Sequence, residues 1–345
     1  MLTVKQLLRL DLKRMLTLVG EAAGFSEALT FVEKIPNRSV GKKIPNRSPM
    51  DSEPPCLLVL CGISSLEKEL AKSWKNNNTL KLSDNAKVSV HLHSDTETPF
   101  EGDCLRINSF INSLSTTRFG QLLIWSPLLS STHDLVSNNF CALPIGAVCV
   151  ADVQFQGRGR SKNVWESPTG CLLFSFTIQM VDGRVVPLVQ YVVSLAMTEA
   201  IKDVCDKNGV PILIAAGIGL NVDNEKPTTC LNAVLQKMTS VAYQLQREDI
   251  LAAFFNKFEN LFDIFINEGF RPLEELYYKT WLHSGQRVII QEKNEDQLAE
   301  NEVTIQGLTS SGYLLAIGED GQMCKLHPDG NSFDFFKGLV RRKLA

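Results

Sequence analysis

Apolar residues recur along this chain with two periods, and the period assigns the elements. Unbroken or alternating apolar runs at 57–60, 87–92, 122–125, 146–153 and 171–178 read as β-strands. Apolar positions three and four apart mark helices instead, and a short one is expected over 66–74. The strongest stripe joins Val189, Val192, Val193, Ala196, Met197, Ala200, Ile201, Val204 and Cys205, leaving Lys202, Asp203, Asp206 and Lys207 to solvent. Gly209 and Pro211 end that helix. A second stripe, Ile250, Leu251, Phe254, Phe255, Phe258, Leu261, Phe262 and Phe265, stops at Gly269, and its phenylalanines read as core.

Between the two stripes, 212–216 reads as a short buried strand running into Gly217-Ile218-Gly219-Leu220-Asn221-Val222. Two glycines one residue apart permit close approach of backbone to a ligand, and a plain strand-end turn accounts for them equally well. Upstream, Ser131 with Asp134 three residues later fits the capping pattern of a helix start. Such a start satisfies its own N–H groups and also offers polar groups to a ligand. Beyond Trp281 the pattern turns to short strands at 287–291, 302–308, 313–317 and 323–326, separated by Ser311-Gly312, Asp320-Gly321 and Asp329-Gly330. This is the signature of a small β-barrel or meander. The segmentation is therefore a leader or disordered linker at 1–50, a small α/β region at 51–118, a main domain at 119–280 and a C-terminal β domain at 281–345.

A hydrophobic content of 44% and a net charge of -3 are those of a globular chain. No uninterrupted apolar run approaches the roughly 20 residues that span a bilayer, so no membrane partner is expected. The nine cysteines are scattered without a Cys-x-x-Cys pair, which favours reduced, buried thiols in an intracellular protein. His91 and His93 lack nearby partners, so no metal site of cysteine and histidine is expected. Residues 1–50 carry nine Lys or Arg against four Asp or Glu, on a leucine-rich start that fits an organellar presequence. Asp11, Glu21, Glu27 and Glu33 are foreign to one, and Lys-Ile-Pro-Asn-Arg-Ser occurs twice, at 34–39 and 43–48, as in a low-complexity linker. A cytoplasmic location is expected, with chloroplast or mitochondrion as the alternative if 1–50 is a transit peptide.

The densest candidate chemistry lies between the strands at 146–153 and 171–178. Gly157-Arg158-Gly159-Arg160 places two planar, permanently charged forks between glycines that free the backbone, which suits a phosphate or carboxylate. Trp165 could supply a stacking face, and 167–170 is a turn back to the sheet. A plain solvated basic loop and an RNA contact are the competing readings. Three basic residues in a chain of net charge -3 are a thin nucleic-acid footprint, so no nucleic acid is expected.

With Ser131-Thr132 before it and Gly217-Ile218-Gly219-Leu220-Asn221 after it, this loop with Trp165, Ser167-Pro168 and Gly170 resembles the biotin-protein ligases, most closely the plant holocarboxylase synthetases. The likeness runs from about Phe119 to Ala345. It implies an α+β fold, a class II aminoacyl-tRNA synthetase-like catalytic domain with a C-terminal SH3-like small β-barrel. It also implies a two-step reaction: biotin and MgATP give biotinyl-AMP and pyrophosphate, and the biotinyl group then passes to a lysine of a biotin-dependent carboxylase or an apo biotin carboxyl carrier protein. By position, Ser131, Thr132, His133 and Gln154 would line the biotin head pocket, with Gly217 at its side. Arg158, Gly159 and Arg160 would meet the biotin carboxylate and the adenylate phosphate, the two arginines acting in catalysis. Trp165 would pack near adenine, and Asn221 would sit by the nucleotide phosphates and their Mg2+.

The likeness is interrupted once. Between Pro211 and Gly217 the family carries a Lys-Trp-Pro-Asn-Asp motif and then a Lys-x-Gly-Gly-Ile-Leu strand, whose lysine steadies the adenylation transition state. This chain has only Ile212-Leu213-Ile214-Ala215-Ala216 there, and no lysine nearby stands in an equivalent position. One missing charge at a developing phosphorane costs about 3 kcal/mol, about a hundredfold in rate. Two outcomes stay open: a ligase of reduced turnover, and a non-catalytic homologue that binds biotin, biotinyl-AMP or the apo-carrier.

Overall fold

The computed structural model describes residues 56–77, 79–82, 88–96, 103–158, 164–209, 220–224, 230–238, 243–281, 283–294, 297–326, 331–334 and 338–342. The expected leader at 1–50 and the strand expected at 212–216 lie outside these residues. The first unit is β1 (Cys56–Gly62), α1 (Ser65–Asn77) and β2 (Val88–Leu92), with β2 parallel to β1. β1 then pairs antiparallel with β3 (Leu122–Leu129), and β3 runs parallel to β4 (Val148–Arg158). β5 (Val164–Ser167) folds back on β4, and β6 (Cys171–Phe176) continues the sheet to β7 (Leu220–Asn221). The order is β2-β1-β3-β4-β6-β7, so one sheet runs across position 118.

Alternation along β1 shows why. Leu58 and Leu60 point into one core with α1, while Val59 points into the other. A strand buried on both faces needs neighbours, and the edge of β3 supplies one.

The larger core lies between the sheet and two long helices, α4 (Val186–Lys207) and α6 (Arg247–Glu268). The phenylalanine stripe of α6 packs edge-on into it. Phe119 and Phe176 meet Phe258 with ring centroids 5.0 and 5.1 Å apart. By length and composition α4 is apolar enough to cross a membrane, and half of its most apolar window is buried inside this protein, as in a core helix. Short α2 (Ile107–Ser113) packs on α6, and α3 (Thr132–Asn138) covers the opposite sheet face. Ser131 caps α3 as expected, its hydroxyl accepting from the Asp134 N–H at 3.2 Å. Two further short helices are α5 (Leu231–Met238) and α7 (Glu274–Thr280).

The C-terminal domain is a second sheet, ordered β11-β10-β9-β8-β13-β12. The expected strands appear as β8 (Arg287–Asn294), β9 (Gln297–Leu308), β10 (Leu314–Gly318) and β11 (Met323–Leu326). Two more were not expected, β12 (Asn331–Asp334) and β13 (Leu339–Arg342). Each is four residues long and mixed in polarity, and β13 is held by parallel pairing to the distant β8. The sheet is seated on α4 and α7. Tyr191 donates to the Gly312 carbonyl at 2.7 Å, and the Leu308 N–H donates to the Tyr278 hydroxyl at 2.9 Å.

Candidate functional site

β3 and β4 are parallel neighbours, so their carboxyl ends open on one side of the sheet, where α3 begins. Buried Thr132, at the first turn of α3, reaches the buried Gln154 near the end of β4. Its backbone N–H and its hydroxyl both donate to Gln154 Oε1, at 2.7 and 3.1 Å. The same hydroxyl lies 2.9 Å from Ser175 Oγ on β6. Two donors converging on Oε1 fix the amide and turn its Nε2 the other way. Such a cluster can read a small polar ring through paired donors and acceptors.

The other face of β4 carries a buried ion pair. Asp152 accepts from Arg247 Nη1 at 3.0 Å, from Trp125 Nε1 at 3.0 Å and from the Leu105 N–H at 3.1 Å. Arg247 also donates to the Asp103 carbonyl at 2.7 Å. Burial pushes the Asp152 carboxyl up to about 6, against the pull of Arg247 and the three hydrogen bonds. The pair braces β4 two residues before Gln154.

Asn221 lies on β7, paired with the start of β6: Cys171 faces Asn221 and Leu172 faces Leu220. The buried Cys171 thiol donates to Asn221 Oδ1 at 3.2 Å. One residue earlier, the Gly170 carbonyl accepts from the Asp223 N–H at 3.0 Å. Gly170 has φ +92°, and a Cβ there would stand 2.6 Å from the Asn224 nitrogen, so only glycine fits. The return of the glycine-arginine loop is thus docked on the segment that carries Asn221. Asp223 accepts from Asn232 at 3.0 Å and from Gln244 at 2.7 Å, one bond to each carboxylate oxygen.

The structure therefore brings Ser131, Thr132 and Gln154 together and sets Asn221 two strands away, across β6 from β4. His133 is not part of the cluster; its side chain is exposed, with Nε2 3.4 Å from Ser137 Oγ. Arg158 ends β4 and Trp165 lies within β5. Gly159, Arg160 and Gly217 lie outside the described residues. Sequence reasoning missed Ser175, Asp152 and Cys171. Asp152 and Ser175 carried a signal, each a lone polar residue inside an apolar strand, whereas a cysteine among apolar residues carries none.

Two family models match the chain: the biotin/lipoate A/B protein ligase family over residues 125–223, and the biotin protein ligase C-terminal domain over 283–338. Biotin–protein ligase 1, chloroplastic, of Arabidopsis thaliana is 58% identical over 331 aligned positions, covering 86% of this chain and 90% of that protein. Biotin–protein ligase 2 of the same plant is 59% identical over 329 positions, covering 86% and 100%. Among solved structures, the biotin protein ligase from Aquifex aeolicus in complex with biotin and ATP is 20% identical, with a TM-score of 0.47, covering 64% of this chain and 99% of that one. The first alignment is 331 positions long yet covers 86% of 345 residues, about 297, so about 34 positions of the relative have no counterpart here.

Proposed function

The chain belongs to the biotin–protein ligase family, and from that membership we propose that it joins biotin to ATP as biotinyl-AMP and then to a lysine of a biotin-dependent carboxylase or its carrier protein. It is a ligase by family, and the coverage of nearly the whole of two plant ligases at close to 60% identity carries the reading.

In the first step a biotin carboxylate oxygen attacks the α-phosphorus of ATP and pyrophosphate leaves. In the second the lysine amine attacks the acyl carbon and AMP leaves. Ser131, Thr132 and Gln154 take the biotin head group, with Gly217 beside it, and the exposed His133 is left out of the pocket. The locked Thr132–Gln154 pair supports that assignment, because it holds donors and acceptors in place before the ligand arrives. Arg158 and Arg160 neutralise the two anions that must meet, with Gly159 letting backbone approach, and Trp165 and Asn221 hold the nucleotide. Keeping water from the mixed anhydride prevents its loss.

Mg2+ accompanies ATP in this reading. Asp223, the carboxylate next along the chain from Asn221, already has both oxygens engaged, and among the described residues no group of three His, Cys, Asp or Glu could hold an ion. The described residues do not fit a protein-held ion, and no step is routed through one.

The missing positions favour a second reading of turnover: biotin and biotinyl-AMP bind, but adenylation is slow. Two assays on the full chain separate the readings, pyrophosphate release from biotin and ATP, and biotin transfer to an apo-carrier from supplied biotinyl-AMP. Release at the rate of a plant relative refutes slow adenylation. Failure of both, with no binding of biotin, refutes the ligase reading. The name of the chloroplastic relative favours an organellar role for 1–50, and a fluorescent fusion of those residues that stays in the cytosol would count against it.

A further inference from the structure

We propose that Ser175 on β6 is a positioning residue for biotin: its hydroxyl donates to Thr132, which in turn donates to Gln154, so that Thr132 Oγ1 presents a lone pair and not a proton to a ureido N–H. The inference rests on the proposed placement of biotin at the Thr132–Gln154 pair and adds the residue that sets the polarity of that pair.

Counting protons gives the direction of each bond. The Thr132 backbone N–H lies 2.7 Å from one end of the Gln154 amide, and an N–H needs an acceptor, so that end is Oε1. An amide oxygen has no proton to give, so the Thr132 hydroxyl, 3.1 Å away, is the donor there. A hydroxyl has one proton, and Thr132 has spent it. The 2.9 Å contact between the Thr132 and Ser175 hydroxyls therefore has a single possible donor, Ser175. Thr132 Oγ1 then keeps one lone pair, whereas two donors already occupy Gln154 Oε1. A ligand N–H reaching this pair finds its acceptor on Thr132, and the ureido ring of biotin carries such an N–H.

The sheet holds Ser175 in place for this role. It stands opposite Cys149 in the antiparallel pairing of β6 with β4, the strand that carries Gln154. Thr132 and Gln154 are buried, so bulk water is a poor substitute for the serine. With Ser175 gone, Gln154 alone among the described residues restrains the Thr132 hydroxyl. Rotation of that hydroxyl then sets its proton against the ureido N–H.

A double-mutant cycle separates this role from packing. Biotin binding to the full chain is measured by calorimetry for the parent, S175A, T132V and T132V/S175A. Valine keeps the branched shape of Thr132 without its hydroxyl. The expected result is that S175A weakens biotin binding about fivefold in the parent and by less than about twofold in T132V, where the hydroxyl it orients is absent. Biotin binding by S175A equal to the parent overturns the proposal alone. An equal loss in both backgrounds overturns it too, since Ser175 then acts by packing or by touching biotin itself. A parent chain that binds no biotin overturns the placement of biotin, and the proposal with it.

Discussion

Replacing Asp152 by asparagine removes one charge from a buried pair while keeping the side chain's shape and one acceptor. The side chains of Asp152 and Arg247 are 5% and 6% exposed, so water cannot replace what is lost. At an effective dielectric of about 20, unit charges about 4 Å apart attract by about 4 kcal/mol. In D152N that attraction goes, and Arg247 keeps the Asp103 carbonyl and the solvent-screened Asp103 carboxylate, 3.3 Å away and 64% exposed. Asparagine also sets an NH2 against one of the three donors that now converge on the carboxylate. The expected loss is about 3–5 kcal/mol, the usual cost of orphaning a buried charge.

The pair itself is not strongly favourable, because burial outweighs Arg247 and raises the Asp152 carboxyl. Removing both charges while keeping an acceptor for Trp125 and Leu105, in D152N/R247M, is therefore expected to fall within about 1 kcal/mol of the parent. Urea unfolding followed by far-ultraviolet circular dichroism measures all four members of the cycle. A single D152N variant within about 0.5 kcal/mol of the parent, or a double variant no better than the single, refutes the reasoning.

Two titrations oppose one another with pH. Burial lowers His283 to about 4, so its stabilising effect is present above about 6.5 and is lost as pH falls toward 4; burial raises Asp152 to about 6, so its contribution is present below about 4 and is lost as pH rises toward 6. Each limb is worth about 3 kcal/mol, so thermal midpoints of H283Q should rise as pH falls from 6 to 4, whereas those of D152N should fall more steeply than the parent's. Equal slopes in the three proteins would sink the assignment. Glu259 of α6 accepts from the N–H groups of Thr117, Arg118 and Phe119 and from the Thr117 hydroxyl, at 2.7 to 3.0 Å. E259A strips the turn that leads into β3 and should cost about 1–3 kcal/mol in the same unfolding assay, and a cost below the error of the measurement would refute that role.

What the sequence made legible was whatever local spacing dictates. Ser131 with Asp134 foretold the cap of α3, and the phenylalanines of 250–265 foretold the core under the sheet. Long-range choices were not legible. Nothing in 57–60 says that β1 pairs with β3, because a strand buried on both faces has the same composition whatever its neighbour. β12 and β13 escaped notice because Asn331-Ser332-Phe333-Asp334 and Leu339-Val340-Arg341-Arg342 neither alternate nor form an apolar run. At the candidate site, Thr132 and Gln154 were singled out by resemblance, but Ser175 was not, because its contact with Thr132 spans 43 residues of chain.

The same division bears on the proposal that the positions unmatched against the plant relative include a strand pair beside β7. Removing two consecutive antiparallel strands returns the chain to its original direction, so the strand that follows can still enter the sheet. β7 does enter it, antiparallel to β6, with Leu220 and Val222 buried in the larger core. That core draws mainly on α4, α6 and the strands β1, β3, β4 and β6. Among the described residues β7 is the outermost strand on its side of the sheet. The Thr132–Gln154 cluster rests on β3, β4 and α3, near the middle of the sheet, and is held by its own hydrogen bonds. Asn221 rests on a strand two residues long. Under the proposed placement of biotin and nucleotide, recognition and adenylation depend on different parts of one sheet, and a change in the second need not be visible in folding or in the first.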